Sequence, residues 1–167
     1  MAQQFGATKN PNDFHWVAWT CSLAPAALED LAPAVELAEK AVAANAADQQ
    51  SVTLGAILYR AGRFEEVVKH YTELTSQWES GRPMPTLTSP AYAWYYLAMA
   101  QHHLGLHDDA KVTLDRAVQW HDEKRRQHNA ATETLDWNRI LTLSLLRRQA
   151  EETLGPQPVP TSESQEL

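Results

Sequence analysis

The sequence predicts an all-α fold in which helix-turn-helix hairpins stack in succession and a long C-terminal helix seals the stack. Three observations predict it. The chain matches itself at a fixed offset, and apolar residues keep helical spacing on either side of two glycines. A stretch rich in proline and glycine also falls between two copies of the matched unit.

The offset is 43 residues: Leu54-Gly55 recurs as Leu97-Ala98, Gly62 as Gly105, Val67 as Ala110, Tyr71 as Leu114 and Leu74 as Ala117. Backwards, Val67, Tyr71 and Leu74 match Ala34, Ala38 and Ala41 at an offset of 33 residues. The longer spacing is accounted for by SGRPMPTLTSP (80–90), whose Gly81, Pro83, Pro85 and Pro90 suit neither a helix interior nor a central strand. That segment reads as an insertion between units.

The units follow in order, at about 11–45, 48–78 and 90–128, after a flexible N-terminus over 1–10. The first opens on Asn10-Pro11 as cap and first-turn proline, ahead of FHWVAWTCSL. In the second, Val52, Leu54, Ile57 and Leu58 precede Gly62, and Val67, Val68, Tyr71 and Leu74 follow it. Gly62 suits the left-handed residue that closes a helix, and Glu65-Glu66 sit at the positive end of the next one. The third repeats this plan, with Ser89-Pro90 as cap, Gly105 as stop and Asp108-Asp109 opening its second helix. Gly55, Ala98, Ala34 and Ala110 then fall where paired helices cross, and Leu54, Leu97, Tyr71 and Leu114 fill the flanks.

A chain of 167 residues is one domain, long enough for a single core. Its 21 acidic against 14 basic residues give a net charge of −7, which argues against nonspecific nucleic-acid binding. Cys21 is alone, so it forms no intramolecular disulfide and no cysteine metal cage; it reads as a small core residue. MAQQFGATKN has no apolar leader, and no stretch approaches the ~20 apolar residues of a membrane span. A soluble, cytoplasmic protein follows as the expectation, with no membrane partner.

Trp94-Tyr95-Tyr96-Leu97-Ala98-Met99-Ala100-Gln101 resembles the W-x2-L-G-x2-Y opening of a tetratricopeptide (TPR) repeat, with Ala for Gly and Gln for Tyr. Trp16 to Leu23 is a looser match, and residues 54–74 supply Leu-Gly, Leu58, Gly62 and then Val67-x3-Tyr71. The resemblance covers roughly 11–121; Val67 and Leu74 replace alanines, and no proline closes any repeat. It implies a right-handed superhelical solenoid. More narrowly, NPNDFHWVAWTCSLAP and LGAILYRAGRFEE resemble repeats found C-terminal to serine/threonine kinases in planctomycete-type bacterial proteins. The chain carries no kinase motif of its own.

In tetratricopeptide arrays the first helix of each pair lines a concave groove. The resemblance therefore implies a groove of Gln49, Val52, Ala56, Tyr59 and Arg60 from the second unit and Tyr92, Tyr95, Met99, His102 and His103 from the third. Aromatic rings with one arginine suit a peptide or protein segment, Arg60 holding a carboxylate. Chaperone-tail capture is disfavoured, because Arg60 alone matches in kind the several Lys and Asn such sites use.

The capping helix is read over about 132–154. Its Trp137, Ile140, Leu141, Leu143, Leu145 and Leu146 cover over half the circumference, which calls for burial from two sides. One covering is the rest of the chain; the alternative is a homodimer through Trp137–Leu154. Residues 155–167 read as a disordered tail.

His102, His103, His107, Asp108 and Asp109 look metal-like, but Gly105 interrupts the helix that would align them, so no metal or cofactor is implied. GxSxG, P-loop and HExxH motifs are absent, and the chain reads as noncatalytic. Lys124-Arg125-Arg126 with Arg147-Arg148 reads as a solvated face, the sharper alternative being an acid-binding patch.

Overall fold

The structure is a computed structural model that describes residues 11–23, 29–85, 88–130 and 135–155; among these there are seven helices and no strand. Helix α1 runs Pro11–Ser22, α2 Ala32–Ala44, α3 Asp48–Arg60, α4 Phe64–Glu79, α5 Pro90–His103, α6 His107–Asn129 and α7 Trp137–Leu154. The all-α expectation holds. The expected flexible N-terminus, the Asn10 cap and the tail beyond Gly155 lie outside the described residues.

Local chemistry explains the helix ends. Gly62 and Gly105 have φ of 73° and 76°, the left-handed region a side chain disfavours. After α3, Arg63 N donates to Leu58 O and Gly62 N to Tyr59 O, each at 3.0 Å. After α5, Leu106 N donates to Gln101 O (2.9 Å) and Gly105 N to His102 O (3.0 Å). Both ends thus close in the same reversed loop, which satisfies carbonyls the helix leaves open. Glu65 and Glu66 stand in the first turn of α4, Asp108 and Asp109 in that of α6.

Two ends differ from expectation. Ser89 occupies the cap position of α5 but makes no side-chain capping bond; Pro90 fixes the first-turn φ without it. Helix α7 begins at Trp137 rather than near 132, because Asp136 holds an extended cap conformation with ψ 146° and Leu135 is not helical.

Each helix packs against the next in sequence, and the odd-numbered helices also pack on one another: α1 on α3, α3 on α5, α5 on α7. The matched positions of the sequence form one buried stripe per even helix. These are Ala34, Ala38 and Ala41 on α2; Val67, Tyr71 and Leu74 on α4; and Ala110 and Ala117 on α6, with Leu114 partly buried beside them.

Helix α5 lies at the centre. Every residue from Pro90 to Gln101 is buried, against α3, α4, α6 and α7. A helix apolar on all sides has no solvent face and needs neighbours all round.

At the α3–α4 contact the Tyr71 ring fills the space that a side chain on Gly55 would take. A Cβ on Gly55 would stand 2.2 Å from Tyr71 Cζ. The ring is pinned, since its hydroxyl donates to Val52 O at 2.6 Å. Gly55→Ala should therefore overpack this contact and cost about 1–3 kcal/mol, seen as a lower Tm in thermal melts. An unchanged Tm would mean that Tyr71 moves aside freely.

Candidate functional site

The ten residues of the expected groove do not line one open trough. Val52, Ala56, Tyr59, Tyr92, Tyr95 and Met99 are buried. Helix α7 lies along α5 and meets the three tyrosines, whereas Val52 and Ala56 sit on α3, which packs against α1, α2, α4 and α5. Tyr92 meets Thr142 and Arg139, Tyr95 faces Arg147 and Glu151, and Tyr59 meets Gln149 and Thr153. Leu143, Leu146, Ala150 and Leu154 are the buried face of α7.

Arg60 is engaged within the fold. Its Nε donates to Ser22 O at 2.6 Å and its Nη2 to Gln149 Oε1 at 2.8 Å. The guanidinium also lies 5.5 Å from the Tyr59 ring centre and 5.6 Å from that of Tyr96. One arginine thus ties the ends of α1 and α3 to α7, with two of its five N–H donors engaged in these bonds.

The histidines separate. His103 stacks on Phe64 with ring centres 4.3 Å apart, while His102 and His107 approach through their Nδ1 atoms at 3.3 Å. Among the described residues no group of three His, Cys, Asp or Glu side chains could hold a metal ion. Cys21 is partly buried against the core, and burial pushes its thiol pKa up, away from the reactive thiolate.

One part of this face remains open. Between α1 and the start of α7 lies a pocket of about 240 Å³, walled by Trp16, Trp19, Tyr92 and Arg139. Trp19 packs on Tyr92 with ring centres 5.5 Å apart. The polar side is His15, Gln49 and Thr53. Gln49 Nε2 donates to His15 Nε2 at 2.5 Å, so the ring proton sits on Nδ1 and donates to Thr53 Oγ1 at 3.0 Å. Burial pushes the Tyr92 phenol up to about 12, so it stays protonated. Trp16, at 56% exposed, stands at the mouth. The pocket is smaller than the ~300–1,000 Å³ of sites for drug-sized ligands and fits a single side chain.

Of the expected groove residues, only Gln49 and Tyr92 reach this pocket. Sequence reasoning missed His15, Trp16 and Trp19, although the aromatic density of FHWVAW was a visible signal. Nothing in the sequence pointed to Arg139, which arrives only when α7 folds back.

The charged form is disfavoured at two buried histidines. Burial lowers the pKa of His15, and burial followed by the Arg147 guanidinium lowers that of His121, whose Nδ1 sits 3.0 Å from the Tyr95 hydroxyl. The unfolded chain therefore takes up protons near pH 6.5, before the folded one does. Stability is full above that pH and is lost as pH falls toward the depressed folded-state values. Melts between about pH 7 and pH 5 should show Tm falling with pH, and the slope should flatten in a His15→Gln/His121→Gln variant. An identical slope in both proteins would show that neither histidine is the sensitive group.

No protein-family model matches the chain, and none of the curated proteins or solved structures compared with it matches.

Proposed function

We propose that the chain is a noncatalytic recognition module of tetratricopeptide type that binds a peptide or protein segment in the pocket between α1 and α7. The observation that carries this reading is the pocket itself: a preformed aromatic slot beside an ordered polar network. A large apolar or aromatic side chain would enter against Trp19 and Tyr92, where rings give contact area at low entropy cost. Asp136, Asn138 and Thr142 at the start of α7 are placed to meet the flanking backbone. Helix α7 itself occupies the Tyr59–Tyr95 face, so the partner engages the remaining end of the groove. A cytoplasmic scaffold or regulatory part of a bacterial signalling system is the setting, a reading supported by the sequence resemblance and the lone cysteine. Among the described residues no helix is long and apolar enough to cross a membrane.

A second reading rests on the outer face of α7. Trp137 (78% exposed), Leu141 (50%) and Leu145 (41%) repeat at one-turn spacing. Such a stripe suits a self-associating module whose symmetric interface is α7.

Selection of peptides from a random display library against the intact chain tests the first reading. Binders should share an aromatic or bulky apolar residue, and Trp16→Ala should weaken them about tenfold or more, as loss of a buried aromatic anchor does. Binders indifferent to Trp16→Ala, or none at all, would overturn it. Sedimentation of the same samples tests the second, which requires a dimer that Trp137→Ala/Leu141→Ala dissociates.

A further inference from the structure

The facing sides of α6 and α7 carry a concentration of arginine unusual for so acidic a chain. Arg147 ties the two helices together: its Nη1 donates to Asp122 Oδ1 on α6 at 2.6 Å, and its Nε to Glu151 Oε1 on α7 at 2.8 Å. One guanidinium thereby binds one oxygen of each of the two carboxylates that line the cleft between these helices. Arg125 from α6 and Arg148 from α7 line the same cleft, of about 320 Å³, together with His121 and Ser144.

Neither Arg125 nor Arg148 has a hydrogen-bond or ion-pair partner among the described residues. The other described arginines are engaged: Arg60 with Ser22 and Gln149, Arg63 with Glu66, Arg82 with Asp48, Arg116 with Glu79 and Arg126 with Glu123. Arg139 and Arg147 are engaged as well. In a chain with 21 acidic residues, two unmatched guanidiniums line one cleft from different helices, and each of the two carboxylates there already accepts from Arg147.

We propose that this cleft is an anion site for a phosphate group, gripped by Arg125 from one wall and Arg148 from the other. A carboxylate has two oxygens and is satisfied by one guanidinium fork. Two forks from separate helices match a dianion that presents three terminal oxygens; the Ser144 hydroxyl in the same lining donates to Ile140 O at 2.9 Å. His121 lines the same cleft, its Nδ1 hydrogen-bonded with the Tyr95 hydroxyl at 3.0 Å, and its ring reports on what binds there. The net charge of −7 does not defeat the site, since at physiological salt charges farther than about 8 Å are largely screened, and in the lining the guanidiniums of Arg125, Arg147 and Arg148 outnumber the carboxylates of Asp122 and Glu151. The site is separate from the pocket between α1 and α7 and stands or falls independently of it.

Titration of the intact chain with inorganic phosphate and with O-phosphoserine, in phosphate-free buffer at constant ionic strength, tests the proposal by calorimetry and by the His121 imidazole resonance. Saturable binding is expected with at least one probe. Loss of both forks in Arg125→Gln/Arg148→Gln should weaken it about tenfold or more, and Arg125→Lys/Arg148→Lys should fall between, keeping charge without the fork. Both positions are exposed, so the variants should fold, which circular dichroism verifies. Tighter binding of O-phosphoserine assigns the site to an esterified phosphate, and equal or tighter binding of inorganic phosphate assigns it to the free ion. No saturable response to either probe, undiminished binding in the glutamine variant, or equal competition by acetate would overturn it.

Discussion

The structure depends on the enclosure of one helix. PAYAWYYLAMAQ, the buried run of α5, has no polar face to turn to water, so its stability must come from neighbours on every side. Ala91, Ala93, Ala98 and Ala100 let those neighbours approach closely, while Trp94, Tyr95, Tyr96 and Met99 fill the spaces between. Helices α3, α4 and α6 supply three sides. The fourth falls to α7, and that requirement brings a distant segment back across the molecule.

The same requirement shapes the functional surface. A stack of hairpins that ended at α6 would uncover Tyr92 and Tyr95, which face Arg139, Thr142, Arg147 and Glu151 of α7, leaving an aromatic patch of the kind that marks a binding site or an aggregation hazard. By covering them, α7 converts a candidate groove into core and leaves two smaller features at its flanks. One is the aromatic pocket against α1, and the other is the arginine-lined cleft against α6. Arg60 and Arg147 illustrate the division of labour. Each spends its guanidinium on holding α7 in place, whereas Arg125 and Arg148 do not.

Much of the helical plan was legible because it is set by local chemistry and by short periods. The two glycines at matched positions adopt left-handed φ, the small residues Ala34, Ala98 and Ala110 are buried, and the Tyr71 ring lies where Gly55 leaves room. The course of α7 was not legible in the same way. Its wide apolar surface signalled burial, but which face would be covered depends on contacts far apart in sequence, such as Arg60 with Gln149. Of the groove residues assigned by resemblance, Val52, Ala56, Tyr59, Tyr92, Tyr95 and Met99 therefore held their places on α3 and α5 yet are buried, whereas His103 stays exposed. The capping role of Ser89 failed for a smaller reason: a favourable residue type in the right position need not form the bond when Pro90 already sets the turn.

Native-state hydrogen exchange, compared between the intact chain and one ending at Asp136, tests the enclosure of α5 most directly. The account predicts that α5 amides exchange only through global unfolding in the intact chain and lose protection first, ahead of α2 and α4, once α7 is removed. Amides of α5 no better protected than those of α1, or indifferent to the loss of α7, would contradict it.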